Sequence, residues 1–381
     1  MPRTALDHAA ASVATLVALA VAAPIAAQPA ADRIDGPSGP IAVETFARGL
    51  VHPWGAAFLP DGRLLVTERP GRLRLVSRDG AVSEPLAGTP DVFARGQGGL
   101  LDVALDPDFA ENRLVYLTFA DPRGDGAATS AGRGRLSEDG RALEGFETIF
   151  EQRPAVSGEN HFGGRLAFAP DATLFVTLGE RFDYAEEAQD VSNTLGTIVR
   201  LAPDGAIPPD NPFVGRDGED AIWSFGHRNV EAAALHPQTG ALHVAEMGPE
   251  GGDELNRPEA GRNYGWPLVS WGRHYSGEPI PDPPTRPRLA HALLHWTPVI
   301  SPSGATFYTG DLFPAFAGDL LIGGLTAQGI VRVDVAGEPR EVGRLALGVR
   351  TRDVVQGPQG AIFVLTDQPE GEILRLTPAE P

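Results

Sequence analysis

Residues 57–68 read AFLPDGRLLVTE: a short apolar strand, a proline-led turn and a second apolar strand. The pattern returns as ALDPDFAENRLVYLTF at 104–119, AFAPDATLFVTLGE at 167–180, ALHPQTGALHVAEMG at 234–248, ATFYTGDLFPAFAGDLLIGGL at 305–325 and VVQGPQGAIFVLTD at 354–367. Turn residues between alternating apolar residues are typical of a β-hairpin. Six such hairpins predict an all-β fold, a six-bladed β-propeller of four-stranded antiparallel sheets with few and short helices. A pair of β-sandwiches is the alternative.

The N-terminus predicts export from the cytoplasm. Arg3 precedes ASVATLVALAVAAPIAA, an apolar run that is too short to span a bilayer and ends in small residues. We therefore expect a signal peptide over residues 1–27, a flexible tail over 28–40 and one propeller domain over 41–381, located in the periplasm without a membrane span in the mature chain. A retained membrane anchor is the alternative.

Composition excludes several classes of function. The formal net charge of −19 opposes binding to nucleic acid or to an anionic membrane. The chain contains no lysine and no cysteine, which excludes Schiff bases, thiolate nucleophiles, zinc-thiolate sites and iron-sulfur clusters. Any metal must be bound by oxygen or imidazole.

Chemistry concentrates in four loops, which a propeller would bring together at the mouth of its central channel. They are GQGGLLDVALDPDF at 96–109, ENHFGGRL at 159–166, FGHRN at 225–229 and EMGPEGGDELNRPEAGRNYGWP at 246–267. His161 in the second loop could be a base, a metal ligand or a packed ring. The fourth loop is acidic and glycine-rich, which suits calcium but is also common in solvated turns.

Arginines supply the candidate anion contacts. Arg228 and Asn229 place a planar five-donor fork beside an amide, which suits a ligand with carboxylates or ring carbonyls. Arg350 and Arg352 lie on one side of an extended segment and need an anion, either a ligand or the protein's own carboxylates. The stretch WGRHYSGEPIPDPP at 271–284 is expected to form a rim loop.

From about residue 41 to the C-terminus, the chain resembles the soluble pyrroloquinoline quinone (PQQ) dependent sugar dehydrogenases, and more closely their aldose sugar dehydrogenase branch. The stretches that carry the resemblance are GLVHPWGAAFLPDGRLLVTERPGRL, GQGGLLDVALDPDF, NHFGGRLAF, WSFGHRN, GPEGGDELNRPEAGRNYGWPLVSWG, SPSGATFY and RTRDVVQGPQGAIFVLTD. The resemblance implies periplasmic oxidation of aldose sugars to lactones, with PQQ and Ca²⁺ as cofactors and an external electron acceptor whose identity the sequence does not give.

The resemblance also implies roles for individual residues. His161 matches the catalytic base, and Arg228 matches the residue that polarises the quinone. Further cofactor contacts are implied for Gln97, Asn229, Arg350 and Arg352. Gly248 and Pro249 match a pair whose carbonyls bind an active-site calcium, while Glu254 and Tyr264 match ligands of a second, structural calcium.

The chain departs from the family pattern at two positions. Asn160 stands where the glucose dehydrogenase branch has an aspartate, and no lysine is present near Thr326 or Ala327, where the family has one that contacts PQQ. A lost charge-assisted contact costs about 1.5–3 kcal/mol, which would weaken PQQ binding by about tenfold to a hundredfold unless an arginine compensates. A calcium-dependent sugar lactonase and a non-catalytic envelope binding module are the alternative functions.

Overall fold

The computed structural model describes residues 32–379, which form six antiparallel sheets arranged as the blades of a propeller. The innermost strands of neighbouring blades contact one another around a complete ring. The prediction of an all-β, six-bladed propeller is therefore confirmed. Four blades have four strands, one has three and one has five.

The strands follow the chain blade by blade. Blade one contains β3 (Pro53–Phe58), β4 (Leu64–Glu68) and β5 (Arg72–Val76), and blade two contains β6 (Leu100–Leu105), β7 (Leu114–Arg123), β8 (Gly126–Leu136) and β9 (Leu143–Glu151). Blade three contains β10 (Gly163–Phe168), β11 (Leu174–Leu178), β12 (Thr197–Leu201) and β13 (Ile222–Phe225). Blade four contains β14 (Val230–Leu235), β15 (Leu242–Glu246), β16 (Asp253–Asn256) and β17 (Leu294–Trp296). Blade five contains β18 (Pro302–Phe307), β19 (Leu320–Gly324), β20 (Gly329–Asp334) and β21 (Arg340–Ala346).

Blade six combines the two ends of the described chain. Its inner strands are β22 (Thr351–Gln356), β23 (Ile362–Thr366) and β24 (Gly371–Pro378), and its outer strands are β2 (Gly39–Leu50) and β1 (Arg33–Gly36). The prediction of a flexible tail over residues 28–40 is wrong from Arg33 onward, because Ile34 pairs with Ile41 in a hairpin that continues the sheet. The predicted signal peptide over residues 1–27 lies outside the described residues.

Helices are few and short, as predicted. Between residues 32 and 379 there is one α-helical turn, α1 (Phe109–Asn112), and short 3-10 helices cover Ala185–Gln189, Pro283–Thr285, Pro314–Phe316 and Pro358–Gly360. Within residues 32–379 no helix has the length and apolar character needed to cross a membrane.

The blades are joined by apolar packing and by threonines. Leu65 of β4 packs with Leu117 of β7 in a core between blades one and two. Thr177 of β11 accepts a hydrogen bond from the amide of Arg165 in its own blade at 2.9 Å and donates one to the carbonyl of Val230 in the next blade at 2.8 Å. Thr118 in blade two and Thr67 in blade one make the equivalent bonds. Each threonine thus satisfies buried backbone groups on both sides of a blade junction.

A buried ion cluster connects four inner strands. Arg165 of β10 lies 3.2 Å from Asp102 of β6 and 3.2 Å from Asp353 of β22, and its guanidinium stacks 4.0 Å from the ring of Trp54 in β3. Burial raises the pKa of Asp353 to about 6 against the opposing effect of the Arg165 charge. The cluster fixes the inner ends of blades one, two, three and six relative to one another.

Candidate active site

The principal cavity has a volume of about 820 Å³ and is lined by residues from four of the predicted loops. Gln97, His161, Arg228, Gly248 and Pro249, all predicted site residues, line it. The predicted rim loop contributes Trp271, Gly272, Arg273 and Tyr275. The fold therefore converges these loops on one side of the propeller, as the sequence predicts.

His161 occupies the turn that leads into β10, and its backbone is held in a left-handed conformation with φ of 54°. Its amide donates a hydrogen bond to Oε1 of Gln97 at 2.7 Å. Its carbonyl approaches the backbone of Gly179, where an added Cβ would lie 2.2 Å from the carbonyl oxygen. A positive φ is unusual for a residue other than glycine and persists only where its surroundings enforce it.

Glu180 orients the imidazole. Its Oε2 lies 2.6 Å from Nδ1 of His161, and both side chains are buried. Because a carboxylate accepts, Nδ1 carries the proton of the neutral ring and Nε2 retains the lone pair. Among the described residues none bonds to Nε2 of His161. The ring is thus prepared to accept a proton from a molecule in the cavity.

The same pairing occurs one blade further on with a different outcome. His227 and Glu246 have the same separation in sequence, and their side chains meet at 2.9 Å. However, Nε2 of His227 is bonded to Oγ of Ser224 at 2.9 Å, and its ring stacks on Tyr264 at 4.7 Å. His227 is completely buried, so only His161 of the two presents a free nitrogen to the cavity.

Arg228 lines the cavity and is held there by backbone carbonyls. Its Nη1 donates to the carbonyls of Met247 at 3.0 Å and Gly248 at 2.7 Å, and its Nη2 lies 3.3 Å from the hydroxyl of Tyr275. Its Nε is buried and has no partner among the described residues. Asn229 does not line the cavity; instead it bonds the amide of Gly163 and, through Nδ2, Oε1 of Glu231.

The loop at Gly248 is fixed by Asp253. Oδ1 of Asp253 accepts the amide of Gly248 at 2.8 Å, and Oδ2 accepts the amides of Ile300 and Ser301 at 2.7 Å each. Burial nevertheless raises the pKa of Asp253 to about 6. Three backbone donors hold this carboxyl, and through it the carbonyl of Gly248, at the cavity wall.

Glu254 and Tyr264 lie at a second, much smaller cavity behind Arg228, which Glu246 also lines. Burial and the neighbouring Glu246 raise the pKa of Glu254 to about 8, and Oδ1 of Asn256 beside it is buried with no partner in the described part of the chain. Burial also raises the pKa of Tyr264 to about 12. Within residues 32–379, no three acidic or histidine side chains form a metal cluster, so a cation here would need amide or backbone oxygens as well.

Arg350 and Arg352 meet the protein's own carboxylates. Arg350 bonds Asp367 at 2.8 Å, and Arg352 bonds Glu231 at 2.6 Å and Asp367 at 3.2 Å. These two arginines strongly lower the pKa of Asp367. The structure does not place either arginine in the wall of the principal cavity.

Residues 50–375 match the glucose/sorbosone dehydrogenase family. The chain belongs to this family. It is 44% identical over 344 residues to the aldose sugar dehydrogenase YliI of Escherichia coli. The aligned region covers 88% of this chain and 92% of that protein. Membership of the family supports a sugar dehydrogenase.

Two solved structures of family relatives share the architecture. The soluble aldose sugar dehydrogenase of Escherichia coli in its apo form superimposes with a TM-score of 0.85 at 42% identity, covering 89% of this chain and all of that chain. A PQQ-bound aldose sugar dehydrogenase from Streptomyces coelicolor gives a TM-score of 0.72 at 30% identity, covering 88% of this chain and 98% of that chain.

Two residues that shape this family member's site, Glu180 and Arg181, were not predicted. A signal for Glu180 exists, because several hairpin repeats end in an acid: Glu68, Glu180, Glu246 and Asp367. In the structure each of these acids binds a histidine or arginine near the end of its blade's second strand. No comparable repeat marks Arg181, whose contacts all arise from the tertiary fold.

Proposed function

We propose that this protein is a periplasmic aldose sugar dehydrogenase that oxidises the anomeric carbon to a lactone, with PQQ and calcium as cofactors. The family and the names of its relatives support sugar oxidation. The observation that carries the proposal is His161: its Nδ1 is bound by Glu180, its Nε2 is bonded by none of the described residues, and it shares one cavity with Arg228. Export by an N-terminal signal peptide is part of the proposal.

The residues present fit PQQ, a planar tricarboxylate. A volume of about 820 Å³ lies in the range of cofactor sites, and Arg228 brings a guanidinium whose Nε has no partner within residues 32–379. Gln97 and Arg228 line the cavity and would contact the cofactor. Asn229, Arg350 and Arg352 lie outside the cavity wall, so their contacts with PQQ would require them to leave their present partners Glu231 and Asp367.

The lysine expected near Thr326 has no substitute at that position. Thr326 Oγ1 bonds the carbonyl of Val299 and Oγ of Ser301, both at 3.1 Å, and these two residues line the cavity. The rim is therefore closed by neutral groups there. We expect PQQ to bind more weakly than it would with a cation at this position, which titration of the apoprotein would measure.

The residues also fit calcium, which prefers carboxylate, amide and backbone oxygens. Gly248 and Pro249 line the cavity and would supply carbonyl oxygens to an active-site ion, which the Gly248 carbonyl would share with its present donor, Nη1 of Arg228 at 2.7 Å. Glu254, with Tyr264 nearby, would hold the second ion. A cation would offset the burial of the Glu254 charge and its repulsion by Glu246, which together raise the Glu254 pKa.

The chain's own residues then have separable tasks. PQQ, when bound, supplies the hydride acceptor, and calcium supplies Lewis acidity. Nε2 of His161 takes the proton of the anomeric hydroxyl, and the Glu180 carboxylate stabilises the imidazolium that results. Arg228 provides a fixed positive charge where negative charge develops. Oε1 of Gln97 accepts a hydrogen bond from the backbone amide of His161 and so holds the His161 backbone.

The test is dye-linked aldose oxidation by the mature protein, with and without added PQQ and calcium. We expect activity only with both, and loss of at least a hundredfold in His161→Gln. His236→Gln, in the distant β14–β15 turn, is the matched control. Lactone hydrolysis with calcium alone would instead identify a lactonase, and failure to bind either PQQ or sugars would indicate a binding module.

A further inference from the structure

The loop that carries His161 is held by one buried arginine. Arg181 is completely buried, and its Nε donates to the carbonyl of Asn160 at 3.0 Å while Nη2 donates to the carbonyl of Gly158 at 2.7 Å. Nη1 donates to the carbonyl of Ala127 in the neighbouring blade. The guanidinium carbon lies 3.7 Å from the centre of the Phe162 ring. One side chain therefore contacts the residues on both sides of His161.

The main chain reinforces this arrangement. The amide of Arg181 donates to the carbonyl of His161 at 3.2 Å, and the next amide, of Phe182, donates to Oε2 of Glu180 at 2.9 Å. Arg181 and Phe182 have positive φ values of 69° and 70°, as His161 does. The backbone on both sides of the contact between Arg181 and His161 therefore has an unusual, left-handed conformation. Glu180, Arg181 and Phe182 together surround the His161 turn.

The charge of Arg181 is costly at this position. Among the described residues no carboxylate lies within ion-pairing distance of Arg181, and burial lowers its pKa to about 10. Burying a cation against neutral carbonyls is unfavourable compared with an apolar side chain of similar size. What an apolar side chain lacks is a rigid fork of donors that reaches several carbonyls in different directions.

We propose that Arg181 is a positioning residue for the proposed general base: it fixes the 158–162 loop and so keeps Nδ1 of His161 on Glu180 and Nε2 facing the cavity. This inference rests on the proposed function for its catalytic consequence, but the positioning itself is a property of the apoprotein. Without Arg181, the carbonyls of Gly158 and Asn160 lose their donors and the strained His161 backbone can relax.

The test compares Arg181→Met and Arg181→Lys with a matched control, Arg113→Met. Arg113 also donates to two backbone carbonyls, those of Leu136 and Ser137, at 2.8 and 2.6 Å, but it lies at a turn of blade two away from the cavity. Arg181→Lys retains a charge without the fork and provides a folded protein should Arg181→Met misfold.

Two readouts apply to the apoprotein. Hydrogen exchange of the 158–162 segment should accelerate at least tenfold in the Arg181 variants and not in Arg113→Met. Nitrogen chemical shifts of ¹⁵N-labelled histidine should show His161, assigned by its absence in His161→Gln, moving from the Nδ1–H tautomer toward a mixture. Unchanged exchange and tautomer in folded Arg181 variants would overturn the proposal.

The kinetic readout is separate. In an active protein, the Arg181 variants should lose about tenfold to a hundredfold in kcat with KM changed less than about threefold, while Arg113→Met stays near wild type. Wild-type kcat in both Arg181 variants would also overturn the positioning role. If the wild-type protein oxidises no aldose, the proposed function fails, and the apoprotein measurements still decide whether Arg181 positions His161.

Discussion

Replacing Glu180 with glutamine tests the proposed base most directly. The change preserves size and leaves an oxygen able to accept from Nδ1 of His161 and from the amide of Phe182, which now share Oε2 at 2.6 and 2.9 Å. It removes the negative charge that the protonated imidazole needs. It also places an amide NH₂ where Oε1 is buried without a partner among the described residues.

The expected loss follows from the bond that is weakened. A hydrogen bond to a charged group is worth about 1.5–3 kcal/mol, and in this buried pair the charge matters most once His161 has taken the proton. If that whole amount is lost from the transition state, kcat/KM for aldose oxidation falls about tenfold to 150-fold.

The assay is the pH dependence of kcat/KM in dye-linked aldose oxidation. Glu68→Gln is the control, since Glu68 is the equivalent strand-end acid of blade one but pairs with Arg72 and Arg74 at 2.7 and 3.1 Å. It should retain kcat/KM within about threefold of wild type. A Glu180→Gln enzyme that matches wild type within twofold at every pH would refute the reasoning.

Three further predictions concern stability. Arg165→Met should lower the free energy of unfolding by about 3–5 kcal/mol in denaturant titrations, because it leaves Asp102 and Asp353 buried without their cation. A loss of less than about 1 kcal/mol would contradict this prediction. Thr177→Val should cost about 1–3 kcal/mol in the same titration through two unpaired buried backbone groups, with Thr148→Val, at an exposed position of β9, as the control. Asp367 has a lowered pKa, so its stabilising contribution is present above its unfolded pKa near 3.9 and is lost as the pH falls below that value. Asp367→Asn should therefore be less stable than wild type at neutral pH and lose less stability on acidification. Parallel curves of unfolding free energy against pH for the two proteins would contradict this assignment.

Local patterns predicted the blades because each hairpin carries its own strands and turn. The same patterns could not predict blade one's missing fourth strand or the pairing of β2 with β24, which depends on residues at opposite ends of the described chain. The prediction of a flexible tail was wrong at residues 33–40 for the same reason. An extended segment rich in Pro and Gly carries no local sequence signal of the strand that it pairs with.

The site divides in a similar way. The loops that line the cavity could be predicted because they combine glycine with histidine, arginine or acids at the ends of repeats. The bonding partners of the site residues could not be predicted from the sequence. Arg350 and Arg352 require an anion on sequence grounds, yet only the fold shows that Asp367 and Glu231 provide it. His161 and His227 also stand at the same distance in sequence before an acid, Glu180 and Glu246. Only the structure shows that Oγ of Ser224 bonds Nε2 of His227.

The shared sixth blade constrains the order in which the molecule can assemble. β1 pairs with one edge of β2 near the start of the described chain, but the other edge of β2 pairs with β24, as between Ile41 and Pro378, which is synthesised much later. Until then the nascent chain exposes an unpaired strand edge, which favours aggregation and holding by chaperones. Completion of blade six is therefore expected to be the slow, last event of folding, since it closes the longest loop in the molecule. A circular permutant that connects the two ends of blade six and opens between blades two and three would convert this closure into a local event and should refold faster.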